Sequence, residues 1–295
     1  CHNSSGWRVL LLAAVGLADY RVGAGVGMTE WNPWQGCTKV SPGCYAEALA
    51  TRWGKDFTTL RRSAPTTFEA PLRWKEPKLI FTCSISDFFH RQADPWREEA
   101  WEVIKATPHH TYQILTKRPG LMVAWAKTHG WPDNVWAGTS VESQKYAPRL
   151  DVLARVPAKV RFVSVEPMLG PVDLMQWIEL GLGWYGENVN GGLEPDRACN
   201  WVICGGESGP GARPMHPDWA RSLRDQCQAA GVPFFFKQWG EWAPFYDVML
   251  HDKYGTGAPL AEYNFPIAFR KVGKKTAGAL LDGREWREMP PMTSP

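Results

Sequence analysis

The alternation of apolar runs with amphipathic segments predicts an α/β protein. It reads as a (βα) barrel, complete or partial, with parallel strands and a C-terminal appendage. Three observations carry this expectation. From residue 31 to about 240, short and nearly continuous apolar runs alternate with helical segments, as strands covered on both faces do. Polar and charged residues follow the carboxyl end of one run after another, and in a barrel those ends share one mouth. The chain has 295 residues and 44% hydrophobic side chains, which suits a single barrel and excludes wholesale disorder.

The predicted strands lie near 31–34 and over 78–84 (KLIFTCS), 111–116 (TYQILT), 135–139 (VWAGT), 160–165 (VRFVSV), 200–205 (NWVICG) and 232–237 (VPFFFK). Between them helices have legible ends. Asp94 is placed to cap a helix with Pro95 in its first turn. Pro217 opens another, in which Trp219, Leu223 and Cys227 recur every four residues until Gly231 stops it. Residues 45–53, 120–129 and 145–156 supply three more. Strand followed by helix, repeated, implies parallel strands with right-handed crossovers.

Residues 181–199 are rich in Gly and Asn and read as a loop or flap. Residues 1–27 read as an upstream extension or a signal-like segment, with an apolar stretch over 8–18. Residues 28–240 form the barrel domain. Residues 241–295 lose the rhythm and read as an appendage packed on the barrel. They hold a basic cluster (Arg270, Lys271, Lys274, Lys275) and a turn at Asp282-Gly283.

Lys plus Arg number 33 against 30 Asp plus Glu, a net charge of +3. That balance excludes a strongly basic nucleic-acid coat and leaves room for a local basic cleft. Trp (17) outnumbers Phe (12) and Tyr (8). The plain reading is core packing; the sharper one is a stacking surface for bases. Seven cysteines, an odd number in a chain of this length, argue against a disulfide framework and for reduced thiols in the cytoplasm. No apolar run is long enough for a membrane span.

The richest segment is 31–47, WNPWQGCTKVSPGCYAE. Cys37 and Cys44 sit in a Gly/Pro loop after the first strand, where thiolates can wrap a metal or cluster or serve as structural thiols. Asp87 and His90 could form a metal pair, or a hydrogen-bonded carboxylate and a loop histidine. Lys117 and Arg118 put two cations at the mouth, suited to a carboxylate or phosphate. Glu142 and Glu166 could be a general acid–base pair or ion-pair partners of Lys117, Arg118 and Lys237. Gly205 and Gly206 permit close backbone approach to a ligand, with Glu207 as acceptor, or simply make a tight turn.

Eight ordered blocks then give a specific resemblance: 31–47, 84–90 (SISDFFH), 115–119 (LTKRP), 134–142 (NVWAGTSVE), 161–171 (RFVSVEPMLGP), 201–214 (WVICGGESGPGARP), 232–242 (VPFFFKQWGEW) and 272–286 (VGKKTAGALLDGREW). The chain resembles a phage- and prophage-associated family of radical-SAM-like proteins catalogued as a domain of unknown function. The resemblance implies a radical-SAM-like barrel holding a [4Fe–4S] cluster on three loop cysteines and S-adenosylmethionine on the open iron, with an external electron donor. Cys37 and Cys44 would be cluster ligands, and Ser84, Ser86 and Asp87 acceptors for the amino group of the cofactor. The family loop reads Cys-x6-Cys-x2-Cys before Tyr-Ala-Glu, whereas here Cys44 directly precedes Tyr45. One ligand is missing. A sequence error, a third ligand at Cys83 or Cys204, or a degenerate homologue would each explain it.

Three functions compete on this reading. The first is a radical-SAM-like iron–sulfur protein with a nucleic-acid or nucleotide substrate. The second is a cluster-free barrel hydrolase or lyase using the mouth carboxylates. The third is a non-enzymatic nucleic-acid-binding phage protein.

Overall fold

A computed structural model describes residues 21–22, 26–44, 56–179, 197–245 and 268–291. The expected helix over 45–53 and most of the expected 181–199 loop lie outside the described residues.

The strands are β1 (Arg21–Val22), β2 (Val26–Trp31), β3 (Trp34–Gln35), β4 (Arg61–Arg62), β5 (Lys78–Thr82), β6 (Thr111–Thr116), β7 (Val135–Ser140), β8 (Arg161–Val165), β9 (Trp201–Gly205), β10 (Phe234–Gln238), β11 (Trp242–Phe245), β12 (Ala268–Lys271), β13 (Leu280–Leu281) and β14 (Arg284–Glu285). The helices are α1 (Pro65–Phe68), α2 (Asp94–Lys105), α3 (Pro119–His129), α4 (Arg149–Leu153), α5 (Met175–Ile178), α6 (Pro217–Ala230) and α7 (Lys274–Ala277).

One sheet runs β1-β2-β5-β6-β7-β8-β9-β10. From β2 to β10 its seven strands are parallel, and β1 pairs antiparallel to β2. The sheet curls into a half-barrel. Met28 on the first parallel strand and Phe235 and Lys237 on the last line the same internal chamber, which a flat sheet would hold far apart. No ladder joins β10 to β2, so the barrel is partial rather than complete. Residues 286–288 run antiparallel along the free side of β10, through bonds from the Phe236 N–H to the Trp286 carbonyl (2.9 Å) and from the Glu288 N–H to the Phe234 carbonyl (3.1 Å).

Six of the seven parallel strands lie within a few residues of the apolar runs that announce them. The first does not. It is Val26–Trp31, ahead of the expected 31–34. Its sequence, VGMTEW, alternates with the barrel pleat and turns Glu30 toward the interior, so no apolar run marks it. Helix ends differ in two places. Asp94 is the first residue of α2 and pairs with Arg97 at 2.6 Å instead of capping. The 145–156 segment divides at Pro148 into a short 3-10 turn and α4. α6 follows expectation: the His216 side chain accepts from the Asp218 N–H, and Gly231 ends the helix in the left-handed region.

Period-two alternation sorts every strand. One set of side chains faces helices α2, α3, α4 and α6 in the main core, with Ile80, Ile114, Val163, Val202 and Phe236 buried there. The other set faces the barrel interior. Its floor is Leu79, Trp136, Phe162, Trp201 and Phe235. Trp201 meets Trp136, Phe162 and Phe235 with ring centroids 5.8, 5.6 and 6.2 Å away. Burying each such side chain is worth about 1.5–3 kcal/mol. Many tryptophans therefore serve packing: Trp31, Trp34, Trp101, Trp136, Trp177, Trp201 and Trp239 are buried.

Phe162 fits because residue 138 has no side chain. A Cβ built at Gly138 would fall 2.3 Å from the Phe162 ring. Gly138→Ala should therefore lower stability by about 1–3 kcal/mol through overpacking, read as a lower urea midpoint in equilibrium unfolding.

Candidate functional site

Moving up the interior face, the apolar floor gives way to polar side chains at the carboxyl ends. On β8 and just beyond, the order is Phe162, Ser164, Glu166; on β10 it is Phe235, Lys237. A chamber of about 40 Å3 above the floor shares Phe81, Leu115, Ser164, Glu166 and Lys237 with a larger cavity of about 550 Å3 that opens at the mouth. That volume lies within the range of small-molecule sites.

The cavity brings together most of the residues singled out from the sequence. Cys37, Cys44, Ser84, Ser86, Asp87, Lys117, Glu166, Gly206, Glu207 and Lys237 all line it. Gly205 and Glu142 do not. The cysteine loop forms one wall, and the ends of β9 and β10 form another.

Glu142 departs furthest from its expected role. It is 0% exposed. It accepts from Ser41 Oγ and Lys117 Nζ on one oxygen and from Arg149 Nη1 (3.1 Å) on the other. Burial would raise its pKa, but Lys117, Ser41 and Arg149 outweigh this and hold the carboxyl below the usual range. Unlike Glu166 it does not line the cavity, and Lys117 and Arg149 are its ion-pair partners. Instead it fastens the cysteine loop through Ser41. Gly43 packs against it so closely that a Cβ there would meet the Glu142 Cγ at 2.8 Å and the Pro167 ring at 2.9 Å.

Asp87 is likewise saturated. It accepts from Thr116 Oγ1 (2.7 Å), the Phe89 N–H (2.9 Å) and Arg118 Nη1 (2.7 Å). His90 is not its metal partner. The His90 Nδ1 accepts from the Gln92 N–H, so its Nε2 donates to Thr38 Oγ1 at 3.0 Å. Burial and the nearby Arg118 lower the His90 pKa and keep the ring neutral. Arg118 also donates to Thr38 Oγ1 (2.8 Å) and sits 4.0 Å from Cys37 Sγ. A guanidinium thus stands beside the thiol.

The two loop thiols are neighbours: the nearby Cys44, then burial and Asp87, push the Cys37 pKa far up, against Arg118. Ser86 Oγ donates to the Gly36 carbonyl at 2.6 Å and so braces the start of the loop. Ser84 accepts from Asn32 Nδ2 (2.9 Å) and donates to Glu30 Oε2 (2.8 Å). Glu30 is a site residue that sequence reasoning missed. Burial raises its pKa, and its second oxygen is buried without a partner among the described residues.

On the opposite wall, Lys237 Nζ donates to Glu166 Oε2 at 2.8 Å and Gln238 Nε2 donates to Glu166 Oε1 at 3.2 Å. Gly205 and Gly206 make a tight junction at the end of β9. A Cβ at Gly206 would lie 1.9 Å from the Trp239 carbonyl oxygen, and one at Gly205 would meet Glu166. Glu207 is held by a fork from Arg213 (2.8 and 2.7 Å), which draws its carboxyl below the usual range against the effect of burial.

A family model described as a protein of unknown function (DUF5131) matches residues 27–290. The chain belongs to this family. No curated protein matches it, and no solved structure does. Membership in DUF5131 establishes relatedness over nearly the whole chain and assigns no chemistry.

The fit of an iron–sulfur cluster can be tested on the donors. A cluster with one open iron needs three protein thiolates, and the loop brings two. Among the described residues no group of three His, Cys, Asp or Glu side chains is arranged to hold a metal ion. Cys204 is excluded as the third ligand: it faces the outer core, 3.7 Å from the Met168 sulfur. Cys83 lines the cavity but is only 4% exposed, and burial pushes its thiol well up. Its backbone is left-handed, with φ of 62°, a conformation uncommon outside glycine. Among the described residues the loop's donor set is one thiolate short of the cluster.

Glu142 gives a pH prediction. Its folded pKa is lowered, so its contribution to stability is complete above the unfolded-chain value of about 4.3 and is lost as pH falls through the folded value. Glu142→Ala should cost about 3–5 kcal/mol at neutral pH, since Lys117 and Arg149 are left without their anion. The variant should also lose less further stability on acidification than the parent, measured by urea unfolding between pH 3 and 7.

Proposed function

We propose that this protein is a radical-SAM-like half-barrel whose mouth binds a small, nucleotide-sized polar ligand, and that in its present form it does not assemble a catalytic four-iron cluster unaided. The observation that carries the reading is that Cys37 and Cys44 lie side by side in the lining of the 550 Å3 cavity, on the loop after the first parallel strand. The thiol pair, the Arg118 guanidinium beside it and the ordered sequence blocks are what a cluster-binding ancestor would leave. The Cys-x6-Cys loop without a third cysteine is what separates this chain from that ancestor.

The saturated states of Asp87, Glu142 and Glu207 argue against a hydrolase built on mouth carboxylates. Each already accepts from two or more donors, and general acid–base work needs a carboxyl that can exchange its proton near neutral pH. Ligand binding remains well served. Ser84, Ser86, Lys117, Arg118, Glu166 and Lys237 offer both donors and acceptors around one concave space.

Anaerobic reconstitution with iron and sulfide tests the proposal. The parent chain should retain less than a full complement of iron and show no EPR signal of a reduced four-iron cluster. A variant with two residues and a cysteine inserted after Cys44 should gain that signal. Cys37→Ala in the inserted variant should abolish it again. A full four-iron centre in the parent, or none in the inserted variant with its fold intact, would overturn the reading.

A further inference from the structure

A pleated strand sends successive side chains to opposite faces, and β10 obeys this until its end. Phe235 faces the interior floor and Phe236 the outer core. Lys237 faces inward again and lines both the chamber and the mouth cavity. Gln238 should then point outward. Instead it lines the mouth cavity beside Lys237, and Trp239 is the next residue to join the outer core. The pairing with β9 gives the reason. Phe236 stands opposite Cys204 and Gln238 opposite Gly205, so Lys237 is an extra residue on β10. A bulge of this kind re-aims a side chain, and bulges are over-represented next to active sites.

Beyond the bulge the two strand exits stay joined. The Gly206 N–H donates to the Gln238 carbonyl and the Glu241 N–H to the Glu207 carbonyl, both at 2.9 Å. Gln238 and Ser208 are thereby held side by side.

The re-aimed amide is only half used. Gln238 is 4% exposed. Its Nε2 donates to Glu166 Oε1 and to Ser208 Oγ, both at 3.2 Å. The carboxylate can only accept, which fixes the end of the amide that carries nitrogen. The Gln238 Oε1 is buried without a partner among the described residues, and a buried acceptor left unmet calls for a donor. Ser208 accepts from the amide, so its own O–H is directed elsewhere. It is half-buried and lines the same cavity.

We propose that Gln238 Oε1 and the Ser208 hydroxyl form a subsite for the vicinal hydroxyls of a sugar ring, carried by a free sugar or by a nucleoside. The subsite rests on the reading of the mouth as a ligand site and supplies its substrate class. Hydroxyls both donate and accept. One donates to Gln238 Oε1, and it or its neighbour accepts from Ser208. A carboxylate or phosphate oxygen brings no proton for the amide oxygen. An ammonium group is not what this wall lacks either, since Lys237 and Lys274 stand there with Glu166 and Glu241, two charges of each sign.

Calorimetric titration of the iron-free full chain with uridine, 2′,3′-dideoxyuridine and ribose tests this. Uridine should bind, and the dideoxy analogue should bind about tenfold more weakly, because it leaves the amide oxygen unmet. Ribose binding as tightly as uridine assigns the subsite to a free sugar, and much weaker ribose binding assigns it to a nucleoside. Gln238→Met should weaken uridine binding about tenfold while leaving the dideoxy analogue unaffected, a difference that general loosening of the wall would not produce. Ser208→Ala should act in the same direction, and Lys271→Met, at an exposed position, should change neither. Thermal unfolding of each variant checks the fold, and the comparison of analogues on the parent chain needs no variant. Equal binding of uridine and its dideoxy analogue, or equal weakening of both by Gln238→Met, would overturn the subsite and leave the mouth a ligand site. No binding of uridine or ribose would overturn both. The thiol site is read separately by EPR.

Discussion

A carboxylate without solvent contact must keep its donors, and the position of the whole cysteine wall follows from that requirement. Glu142 gathers Ser41 from the loop, Lys117 from the end of β6 and Arg149 from α4. These residues are distant in sequence, and removing any one would leave charge or polarity stranded in a low-dielectric place. The loop is therefore not a free arm hung over the mouth. It is fastened in its middle by Glu142, at its start by Ser86 and on its side by Arg118 through Thr38.

The mouth has two unlike walls as a result. On the cysteine side, polar groups are largely paired with one another and hold shape. On the β9–β10 side, Gln238 Oε1 is buried without a partner among the described residues, and Lys274 is half-buried near Lys237, Glu166 and Glu241. Rigid support opposite a wall with unmet polar capacity is a division of labour suited to ligand selection, since unpaired polar groups discriminate more sharply than apolar surface.

Much of the sheet was legible because strands covered on both faces announce themselves as apolar runs. The convergence of strand ends was legible because chemistry-bearing residues recur just after those runs. The first strand was hidden by its own Glu30 and by the neighbouring Trp31 and Trp34, which imitate a run. Glu142 reads as catalytic by its place after β7. Its partner Ser41 is 101 residues away, and no local pattern reports such burial. Lys274 looked like its neighbours because a single helical turn, not composition, decides which lysine of a cluster faces inward. Arg118 was visible as a cation, but its station beside Cys37 required the fold.

The strip that runs beside β10 has a bearing on how the molecule is made. Residues 286–288 pair with the outer side of β10, and Met289 joins Met28 around the inner chamber. During synthesis the seven parallel strands emerge long before this strip does. Until it does, β10 lacks the partner that 286–288 supply, and the inner chamber lacks the side chain of Met289. The last residues of the described chain thus complete a wall that its first strand begins.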